Sequence, residues 1–477
     1  MARYITTTLP YVNAVPHVGH ALEYVQADAY TRAVRLREEA FFNTGVDEHG
    51  QKVYEKACEK GIDPQRYVDE LAPQFDALKT TLDLSYDAFI RTTSPAHKAA
   101  AQEFWHRCAA AGDIYKKEYQ VKYCVGCELE KTDSELVDGR CPLHPNLDLE
   151  IRKEENYFFR LSSFNEKLRT LYDSQPDFVV PSYRLNEIRS LIEGEGLQDF
   201  SISRVAKKMP WGVPVPGDDT QVMYVWFDAL VNYVSTLGWP SDEERFKKWW
   251  PVIQFAGKDQ VRQQAAMWQA MLMSAGLEPS RQIMIHGFVT IDGQKISKSL
   301  GNVIAPQALV DRYGTDATRY FLLRHVHPFE DSDVSWKKFD EWYTGGLTNG
   351  LGNLVARVMK LAEEYLKDPV VFGGEDTKLG REFTEEIDAF KFNEAMDFVF
   401  VKVAEADAFM TNYEPYKHIK SDDSVESENA RRDIESLVRQ LVTIAAHLAP
   451  AMFSTSEKIL NAIRKNKKPQ NLFPRLP

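Results

Sequence analysis

The chain has 477 residues, of which 44% are hydrophobic and 27% are charged, and its formal net charge is −12. This length allows two to four domains with a large buried core, and the composition is the ordinary balance of a soluble globular protein. The acidic charge argues against a protein covered in basic groups for nucleic acid, but it leaves room for a local basic groove.

The basic stretch at residues 464–468 is either such a patch or a solvated tail. No apolar run has the length of a membrane span, and the N-terminus lacks the apolar segment of a signal peptide. Five cysteines in a chain of this length do not form a disulfide framework, and three of them cluster. These features predict a cytoplasmic protein without membrane contact, in which Cys58 and Cys108 are core thiols.

The first predicted elements are a strand, a turn and a helix. Residues 4–8 are rich in β-branched and aromatic side chains, and residues 10–16 interrupt them. From His20 onward, apolar side chains recur at helical spacing, at Leu22, Val25, Ala29, Ala33 and Leu36. His17-Val18-Gly19-His20 therefore lies where the strand gives way to the helix, and free backbone N–H groups there would face an anion. Gly19 would let a phosphate or nucleoside approach the backbone closely.

Three further strands are predicted at residues 40–46, 251–256 and 282–285, each followed by a polar cluster. The clusters begin at Asp47, Gly257 and His286, and in an open α/β sheet ligands bind along this edge. Residues 114–213 interrupt the pattern with short strands, cysteines and turns in place of long helices, which indicates an insertion.

After about Trp336 the chain is almost purely helical, and a helical bundle is predicted. Its apolar stripes contain Leu347, Leu351, Leu354, Val355, Val358, Phe390, Phe392, Phe398, Val401 and residues 437–449.

Two pairs of potential metal ligands lie within the insertion, separated by thirteen residues. Cys124 and Cys127 form the first pair, and Cys141 and His144 form the second. Thiolates and an imidazole at this spacing suit tetrahedral zinc, and with all four positions filled no place is left for a catalytic water. We therefore expect one structural Zn²⁺ ion. The alternative is a coincidental group of buried cysteines.

A second signature string, Lys295-Ile296-Ser297-Lys298-Ser299, follows almost three hundred residues after the first. In this order, each beside a predicted strand, the two strings resemble the signature motifs of class I aminoacyl-tRNA synthetases. Further strings occur in the order of the methionyl-tRNA synthetase family, and the chain resembles that family over residues 1 to about 335, and more loosely beyond. They are TLPYVN (8–13), DEHGQK (47–52), DFSISR (199–204), WGVPVP (211–216), YVWFDA (224–229), GKD (257–259) and HGFVT (286–290).

The resemblance implies an α/β fold with a split Rossmann-like, parallel-sheet catalytic domain, a zinc-bearing connective-peptide insertion and a C-terminal all-α anticodon-binding bundle. The predicted catalytic halves are residues 1–113 and 214–290, and the connective peptide is residues 114–213. The Lys/Ser loop and stem-contact region is predicted at 291–338, and the anticodon-binding bundle at 339–477. Because the additional C-terminal module of some relatives is missing from the sequence, we expect a monomer.

The family's reaction is activation of L-methionine by ATP with Mg²⁺, followed by transfer to methionine tRNA. The resemblance gives the catalytic roles to His17, His20, Lys295 and Lys298. It gives ATP contacts to the same four residues and to Gly19, Gly257, Asp259, His286, Gly287, Ser297 and Ser299. The Lys/Ser loop would close over ATP, with Lys298 neutralising the leaving pyrophosphate. A P-loop string does not occur in the sequence, so phosphate binding depends on this loop and the helix N-terminus.

For methionine, the resemblance assigns the ammonium group to Asp47, although an exposed Asp at a strand end is often a helix cap. It assigns the thioether pocket to Leu9, Tyr11, Trp226 and Tyr233. Aromatic faces suit a polarizable sulfur, and each of these side chains could equally be plain core.

Two positions depart from the family pattern. Gln264 stands where many relatives have a pocket histidine, and Leu230 stands where some have a proline, so the second wall of the pocket and its fine selectivity stay open. Arg204 is placed either for substrate or phosphate contact or for a structural salt bridge.

For the anticodon, the resemblance assigns base stacking to an aromatic residue after a proline. Asn412, Pro415 and Tyr416 match, with Tyr where Trp is usual, and Asn349 is a weaker candidate on a facing helix. A tyrosine packed at a helix end is the alternative.

Three other functions share part of this pattern. A leucine, isoleucine or valine enzyme usually carries a far longer insertion, and a cysteine enzyme places zinc in the substrate site. A nucleotidyltransferase using the first signature alone is usually shorter and lacks the Lys/Ser loop. A non-catalytic tRNA-binding paralogue is disfavoured by the intact His17, His20, Lys295 and Lys298.

Overall fold

The computed structural model describes residues 2–131, 135–296 and 302–476. The chain divides into two compact units. The sheet unit consists of Met1–Pro16, Glu39–Ala77 and Tyr86–Ile285, and the helical unit consists of His17–Glu38, Leu78–Ser85 and His286–Pro477. No helix within the described ranges is long and apolar enough to cross a membrane.

A six-stranded sheet forms the centre of the sheet unit. In spatial order its strands are Ala88–Arg91, Ala40–Val46, Arg3–Thr6, Val252–Gly257, Gln282–His286 and Val179–Val180. Arg3–Thr6 pairs in parallel with Ala40–Val46 on one side and with Val252–Gly257 on the other. Later strands of the chain are therefore added on both sides of the first strand, which makes this strand a topological switch point. In open α/β sheets, ligands bind in the crevice at the carboxyl ends of the strands beside such a point.

The predicted strands agree with this sheet apart from their ends. Ala40–Val46 has the predicted bounds, whereas the first strand is Arg3–Thr6 rather than residues 4–8. Val252–Gly257 is buried along its whole length, as a parallel strand covered on both faces should be.

Helices surround this sheet. Their N-termini use local signals: Asp63 and Ser94 cap the helices that start at Pro64 and Pro95. The helices are Gln51–Lys60, Pro64–Asp76, Pro95–Ala110, Asn165–Ser174, Ser182–Glu193, Val225–Leu230, Asn232–Ser235, Glu243–Trp249 and Trp268–Ser274, with 3₁₀ turns at Leu161–Phe164 and Lys258–Gln260 and a π-helical turn at Gln263–Met267.

The insertion differs from the prediction of short strands without long helices. Ile114–Cys124 and Glu150–Phe159 form a long antiparallel hairpin, extended by Leu129–Lys131 and Phe200–Ser201. The helices Asn165–Ser174 and Ser182–Glu193 then follow, and the short strand between them joins the central sheet. The helical periodicity of Leu168, Leu171, Leu185 and Ile188, which are buried, was overlooked. A smaller antiparallel sheet contains Ser203–Val205, Pro214–Val215 and Asp218–Met223.

The helical unit contains the long first helix and the C-terminal bundle. Its helices are Val18–Arg35, Leu78–Thr81, Pro306–Tyr313, Thr315–Tyr320, Trp336–Trp342, Asn353–Tyr365, Arg381–Asp388, Phe392–Tyr413, Pro415–His418, Ser424–Leu448 and Phe453–Arg464, with π-helical stretches at Phe321–His325 and Tyr343–Gly352. A small sheet joins Val289–Ile291 to Gln294–Lys295 and Ser332–Val334.

The predicted apolar stripe from Leu347 to Val358 is fully buried, which confirms the bundle prediction. Val401 was wrongly placed in such a stripe, since it is 55% exposed. The Cys108 thiol is buried, and burial raises its pKa to about 12, but Cys58 is exposed and is not the core thiol that was predicted.

Candidate functional site

Asp47 directly follows the strand Ala40–Val46 of the central sheet. The Asp47 N–H donates to the Pro10 carbonyl, its own carbonyl accepts from Val12 N at 3.0 Å, and Tyr11 lies opposite it in an isolated parallel bridge. The carboxylate is 3% exposed. Burial and the charges of Asp228 and Glu128 hold its pKa well above the ordinary value. A nearby positive charge would favour the ionised form of such a buried carboxyl group.

The residues after Asp47 are held rigidly. The Glu48 carboxylate accepts from Arg91 at 2.6 Å, and its carbonyl accepts from the Trp211 indole at 2.6 Å. Gly50 has φ +99°, in the region that favours glycine, and a Cβ there would lie 3.3 Å from a Glu128 oxygen. The end of the strand is thus a fixed platform.

The predicted aromatic pocket residues lie in the same unit. Tyr11 and Trp226 are half-buried and meet edge to face, with ring centroids 6.4 Å apart. Leu9 is half-buried two residues before Tyr11. Tyr233 is 1% exposed and packs against Trp268 at 5.7 Å.

Behind these residues lies a buried polar chain that the sequence analysis did not identify. The Asp228 carboxylate lies 2.6 Å from His49 Nδ1 and 2.8 Å from His97 Nε2. His97 Nδ1 lies 2.9 Å from the Ser235 hydroxyl. Burial alone would raise the pKa of Asp228, but His49 and His97 outweigh it and hold that pKa well below the ordinary value.

Gln264 lies on the π-helical turn that follows Val252–Gly257, within a network of buried amides. Its side-chain oxygen accepts from Gln254 at 2.8 Å, and its amide nitrogen donates to Gln260 at 3.2 Å. Gln269 donates to the Gln264 carbonyl at 2.7 Å and also bonds Ser280. The Gln264 side-chain amide is therefore fixed by neighbouring amides.

Arg204 is 5% exposed, with its guanidinium 4.0 Å from the Tyr224 ring centroid. It donates to the Ser201 hydroxyl at 2.8 Å and the Ser203 carbonyl at 2.7 Å. Its charge also lowers the pKa of Glu128, whose pKa is nevertheless raised overall because burial dominates.

The four predicted metal ligands are brought together, with their ligand atoms within 4.8 Å of one another. His144 Nδ1 lies 3.2, 3.8 and 3.9 Å from the sulfurs of Cys127, Cys124 and Cys141. A zinc tetrahedron with Zn–S bonds of about 2.3 Å has edges of about 3.8 Å, so the donor set and its size fit zinc. Gly126 permits this closure, because a Cβ there would lie 2.4 Å from His144 Cγ.

In the helical unit, His17 and His20 form the start of the first helix. His17 Nδ1 accepts from Gly19 N at 3.1 Å, and His20 Nδ1 accepts from His17 N at 3.2 Å, so each ring carries its proton on Nε2. The rings stack at 3.9 Å, and burial together with His17 lowers the pKa of His20 well below the ordinary value. Neutral imidazoles with Nε2–H donors suit phosphate oxygens.

The expectation of free amides at this terminus is wrong for its first three positions. Val18 N donates to the Ile304 carbonyl at 2.9 Å, Gly19 N to the His17 ring, and His20 N to the His17 carbonyl at 3.0 Å. The capping box of the two histidines occupies the Gly19 amide, while backbone carbonyls occupy the amides of Val18 and His20.

His286 is the last residue of the strand Gln282–His286 and is buried. Its Nε2 lies 2.8 Å from the Glu23 carboxylate, and its Nδ1 lies 2.8 Å from the Gly287 carbonyl. At Gly287 a Cβ would lie 2.2 Å from the Glu330 carbonyl, so only glycine fits. Glu23 is a further partner that the sequence analysis missed.

Fewer contacts describe the remaining predicted ATP-binding residues. Gly257 is buried, and Asp259 is exposed on the 3₁₀ turn Lys258–Gln260. Lys295 pairs through its backbone with Thr290. Ser297, Lys298 and Ser299 lie outside the described residues.

The anticodon candidates differ in exposure. Asn349 and Asn412 are exposed, Pro415 is buried at the start of a short helix, and Tyr416 is 37% exposed. The Tyr416 hydroxyl donates to Glu414 at 3.1 Å, and Lys417 Nζ lies 5.9 Å from the centroid of its ring.

Of the missed residues, Asp228 had a signal in the sequence. It lies within the apolar string 225–231, where an acidic side chain needs a buried partner. His97 and Glu23 had none, since their partners are 131 and 263 residues away.

Known proteins are similar to this chain along most of its length. The model of the family described as tRNA synthetases class I (M) matches residues 3–146 and 144–359. The methionine–tRNA ligase of Thermosynechococcus vestitus is 48% identical over 368 residues, covering 76% of this chain and 69% of that protein. The one from a Nostoc species is 39% identical over 469 residues, covering 94% and 88%.

Solved structures are similar over the whole length. The Mycobacterium tuberculosis methionyl-tRNA synthetase in complex with methionyl-adenylate superposes with a TM-score of 0.90 at 36% identity, covering 96% of this chain and 93% of that one. The free form of the same enzyme gives a TM-score of 0.83 at 31% identity, covering 100% and 98%.

Proposed function

The chain belongs to the methionine–tRNA ligase family of class I tRNA synthetases, and we propose the residues by which it performs that family's reaction. The reaction is ATP-dependent activation of L-methionine to methionyl-adenylate, followed by transfer of the methionyl group to the 3′ end of methionine tRNA. The observation that carries the proposal is the buried Asp47 carboxylate, bridged to Tyr11 and with Trp226 beside that ring.

Asp47 binds the methionine ammonium group. Its burial and its acidic neighbours make an added positive charge favourable there. Leu9, Tyr11, Trp226 and Tyr233 surround the thioether, for which aromatic faces are good partners. Gln264 forms a polar wall, and Arg204 acts on the substrate through the charge that it places beside Glu128.

In the first step, a methionine carboxylate oxygen attacks the α-phosphorus of ATP, and the bond to the β-phosphate oxygen breaks. Such a displacement needs positioning and charge stabilisation rather than a protein nucleophile. His17 and His20 donate Nε2–H to phosphate oxygens, and Lys295 and Lys298 offset the charge of the pyrophosphate, which leaves with Mg²⁺. Gly19, Ser297 and Ser299 contact the phosphates, and Gly257, Asp259, His286 and Gly287 contact the nucleoside.

In the second step, a ribose hydroxyl of the tRNA 3′-adenosine attacks the activated carbonyl carbon, and AMP leaves. The anticodon is bound by Asn349, Asn412, Pro415 and Tyr416, where the exposed Tyr416 ring stacks on a base. Replacing Tyr416 by Ala should lower kcat/KM for aminoacylation by about 5- to 150-fold, which corresponds to the loss of about 1–3 kcal/mol of stacking, and leave adenylate formation unchanged. Tyr413→Ala, at an exposed ring on the preceding helix, is the matched control.

Cys124, Cys127, Cys141 and His144 would hold one Zn²⁺ ion, which would stabilise the insertion without taking part in the reaction. We expect a monomer that acts in the cytoplasm, where a thiol cluster of this kind stays reduced.

The test is amino-acid-dependent ATP–pyrophosphate exchange with methionine, homocysteine, leucine, isoleucine, valine and cysteine. The strongest exchange is expected with methionine and should be lost in Lys298→Ala, whereas Lys378→Ala, an exposed lysine of the helical unit, should exchange normally. Strongest exchange with another amino acid would contradict the assigned pocket. No exchange with any amino acid, but retained tRNA binding, would favour the non-catalytic paralogue.

A further inference from the structure

Four buried side chains behind the proposed methionine pocket are linked in series by hydrogen bonds. We call Ser235, His97, Asp228 and His49, in this order, the hydrogen-bonded chain. Their exposed fractions are 7%, 0%, 0% and 1%. The three contacts between successive members measure 2.9, 2.8 and 2.6 Å. Each link is a hydrogen bond inside an apolar core, where directional bonds are strongest and least forgiving of displacement.

The members of this chain belong to the elements that carry the proposed substrate contacts. His49 lies two residues after Asp47. Asp228 lies on the helix Val225–Leu230 with Trp226. Ser235 lies on the helix Asn232–Ser235 with Tyr233. The chain therefore joins the ammonium-binding end of the pocket to its thioether-binding end.

Two of these contacts meet at one carboxylate. The ionised Asp228 accepts from His49 Nδ1–H and from His97 Nε2–H. The other nitrogen of His97, Nδ1, lies 2.9 Å from the Ser235 hydroxyl. Two imidazoles therefore donate to one carboxylate, which sets the directions of both rings.

Packing alone would not require this arrangement. Burying a carboxylate in an apolar core carries a desolvation penalty, and an apolar side chain of similar volume would avoid that penalty. Apolar contacts, however, allow sliding, whereas hydrogen bonds fix both distance and direction. A hydrogen-bonded network of this kind can therefore keep the distance between two binding groups constant.

We propose that the Ser235–His97–Asp228–His49 chain fixes the separation between Asp47 and the pair Trp226 and Tyr233, and thereby selects the length of the amino-acid side chain. This inference rests on the proposed function. Asp228 is the central positioning residue, since it bonds both imidazoles, and none of the four members needs to touch the substrate.

The test compares amino acids that differ in length. Homocysteine is one methyl group shorter than methionine, ethionine is one methylene longer, and norleucine has the same length without the sulfur. In Asp228→Asn, which keeps the shape but removes the charge, KM for methionine should rise roughly tenfold or more, because small misplacements cost this much. KM for ATP should stay within about twofold.

The informative ratios are those of kcat/KM. Discrimination of methionine against homocysteine and ethionine should fall in Asp228→Asn, while discrimination against norleucine should stay constant. Ser235→Ala keeps the carboxylate and both imidazoles, so it should fold and show a smaller shift in the same direction. His447→Gln, at a buried histidine of the helical unit, reports the effect of destabilisation alone.

Two results would overturn the inference. One is an equal change in KM for methionine and for ATP. The other is a lower Tm in Asp228→Asn and Ser235→Ala with all three ratios as in the wild type. A wild-type chain that shows neither methionine-dependent exchange nor a methionine-induced rise in Tm would instead overturn the proposed function, and the inference with it.

Discussion

Each unit of the protein contains a completely buried aspartate. The two carboxylates differ in their bonding partners, which are guanidinium groups in one unit and imidazoles in the other. In the helical unit, Asp28 bonds Arg319 and Arg32, each at 2.7 Å. In the sheet unit, Asp228 bonds His49 and His97. Burial favours the neutral form of both carboxyls, yet the partners hold the pKa of each below its ordinary value.

The partners differ in what they can do. A guanidinium keeps its charge at every pH at which a protein folds, and its fork fixes several acceptors at once. Arg319 in addition donates to the carbonyls of Ala451, Pro450 and Leu82. An imidazole can exchange protons near neutrality. The difference suggests that Asp28 serves the fold, whereas Asp228 serves the site beside it.

The largest effect is expected for Arg319→Met. The change leaves Asp28 with a single guanidinium and three backbone carbonyls without their donor, so the free energy of unfolding should fall by about 3–5 kcal/mol. Urea denaturation measures it. Methionine-dependent exchange in the variant, measured where it is still folded, should keep its KM. A loss of methionine affinity without loss of stability would reverse the comparison.

In the metal cluster, a bound zinc ion would neutralise the charge of the cysteine thiolates, as the arginines and histidines do for Asp28 and Asp228. The substitution Gly126→Ala tests whether the cluster closes around zinc. The new methyl group would push the His144 ring away from the sulfurs, so the affinity for zinc should fall by about tenfold or more. Zinc content after dialysis against a competing chelator measures this. Gly374→Ala, where a Cβ meets open space, is the control. Equal zinc retention in both variants would mean that the close approach of His144 to Gly126 does not control zinc binding, whereas a wild-type protein without zinc would contradict the metal site itself.

KM for methionine should depend on pH, because the proposed ammonium ligand, Asp47, has to be ionised. The charges of Asp228, Glu128 and Glu48, added to burial, raise the pKa of Asp47. Only the ionised carboxylate attracts the ammonium, so KM for methionine should rise by about tenfold per pH unit below that pKa and level off above it.

In Asp228→Asn one of these charges is removed, the pKa of Asp47 falls, and the rise in KM should begin at a lower pH. Exchange assays over a pH series at saturating ATP measure both curves. An identical onset in the two proteins would show that the Asp228 charge does not reach Asp47.

The smallest effect is expected at the surface. Arg37 donates to both oxygens of Asp388 at 2.8 and 2.9 Å, but both side chains are partly in water. Arg37→Met should lower the free energy of unfolding by less than about 1 kcal/mol in urea denaturation. A loss as large as that of Arg319→Met would mean that burial is not what separates the two arginines.

Much of the fold could be predicted because its signals are local. The strand Ala40–Val46 contains aromatic and β-branched residues and is followed by a polar cluster, and the zinc ligands form two short pairs. The helices Asn165–Ser174 and Ser182–Glu193 are short, and they lie in a segment whose other signals are cysteines and turns, so the helical spacing of their buried leucines is a weak signal. Cys58 was misplaced because residue type alone does not tell which face of a helix is buried.

The site was predicted less completely for a different reason. Asp47, Tyr11 and Trp226 each end or begin a recognisable element, so their roles could be proposed from the strings that contain them. The partners of Asp228 come from residues 49 and 97, and no periodicity links positions so far apart. Networks closed by tertiary contacts are visible only once the strands are in register.

The two stacked histidines at the start of the first helix have a further consequence. Because His17 Nδ1 already accepts the Gly19 N–H, the helix supplies its own ligand for its positive end. An anion that takes this amide has to displace the imidazole, and a capping side chain contributes about 1 kcal/mol. The resting helix thus contains an intramolecular competitor, which weakens anion binding but keeps the histidines folded and aligned until the anion arrives.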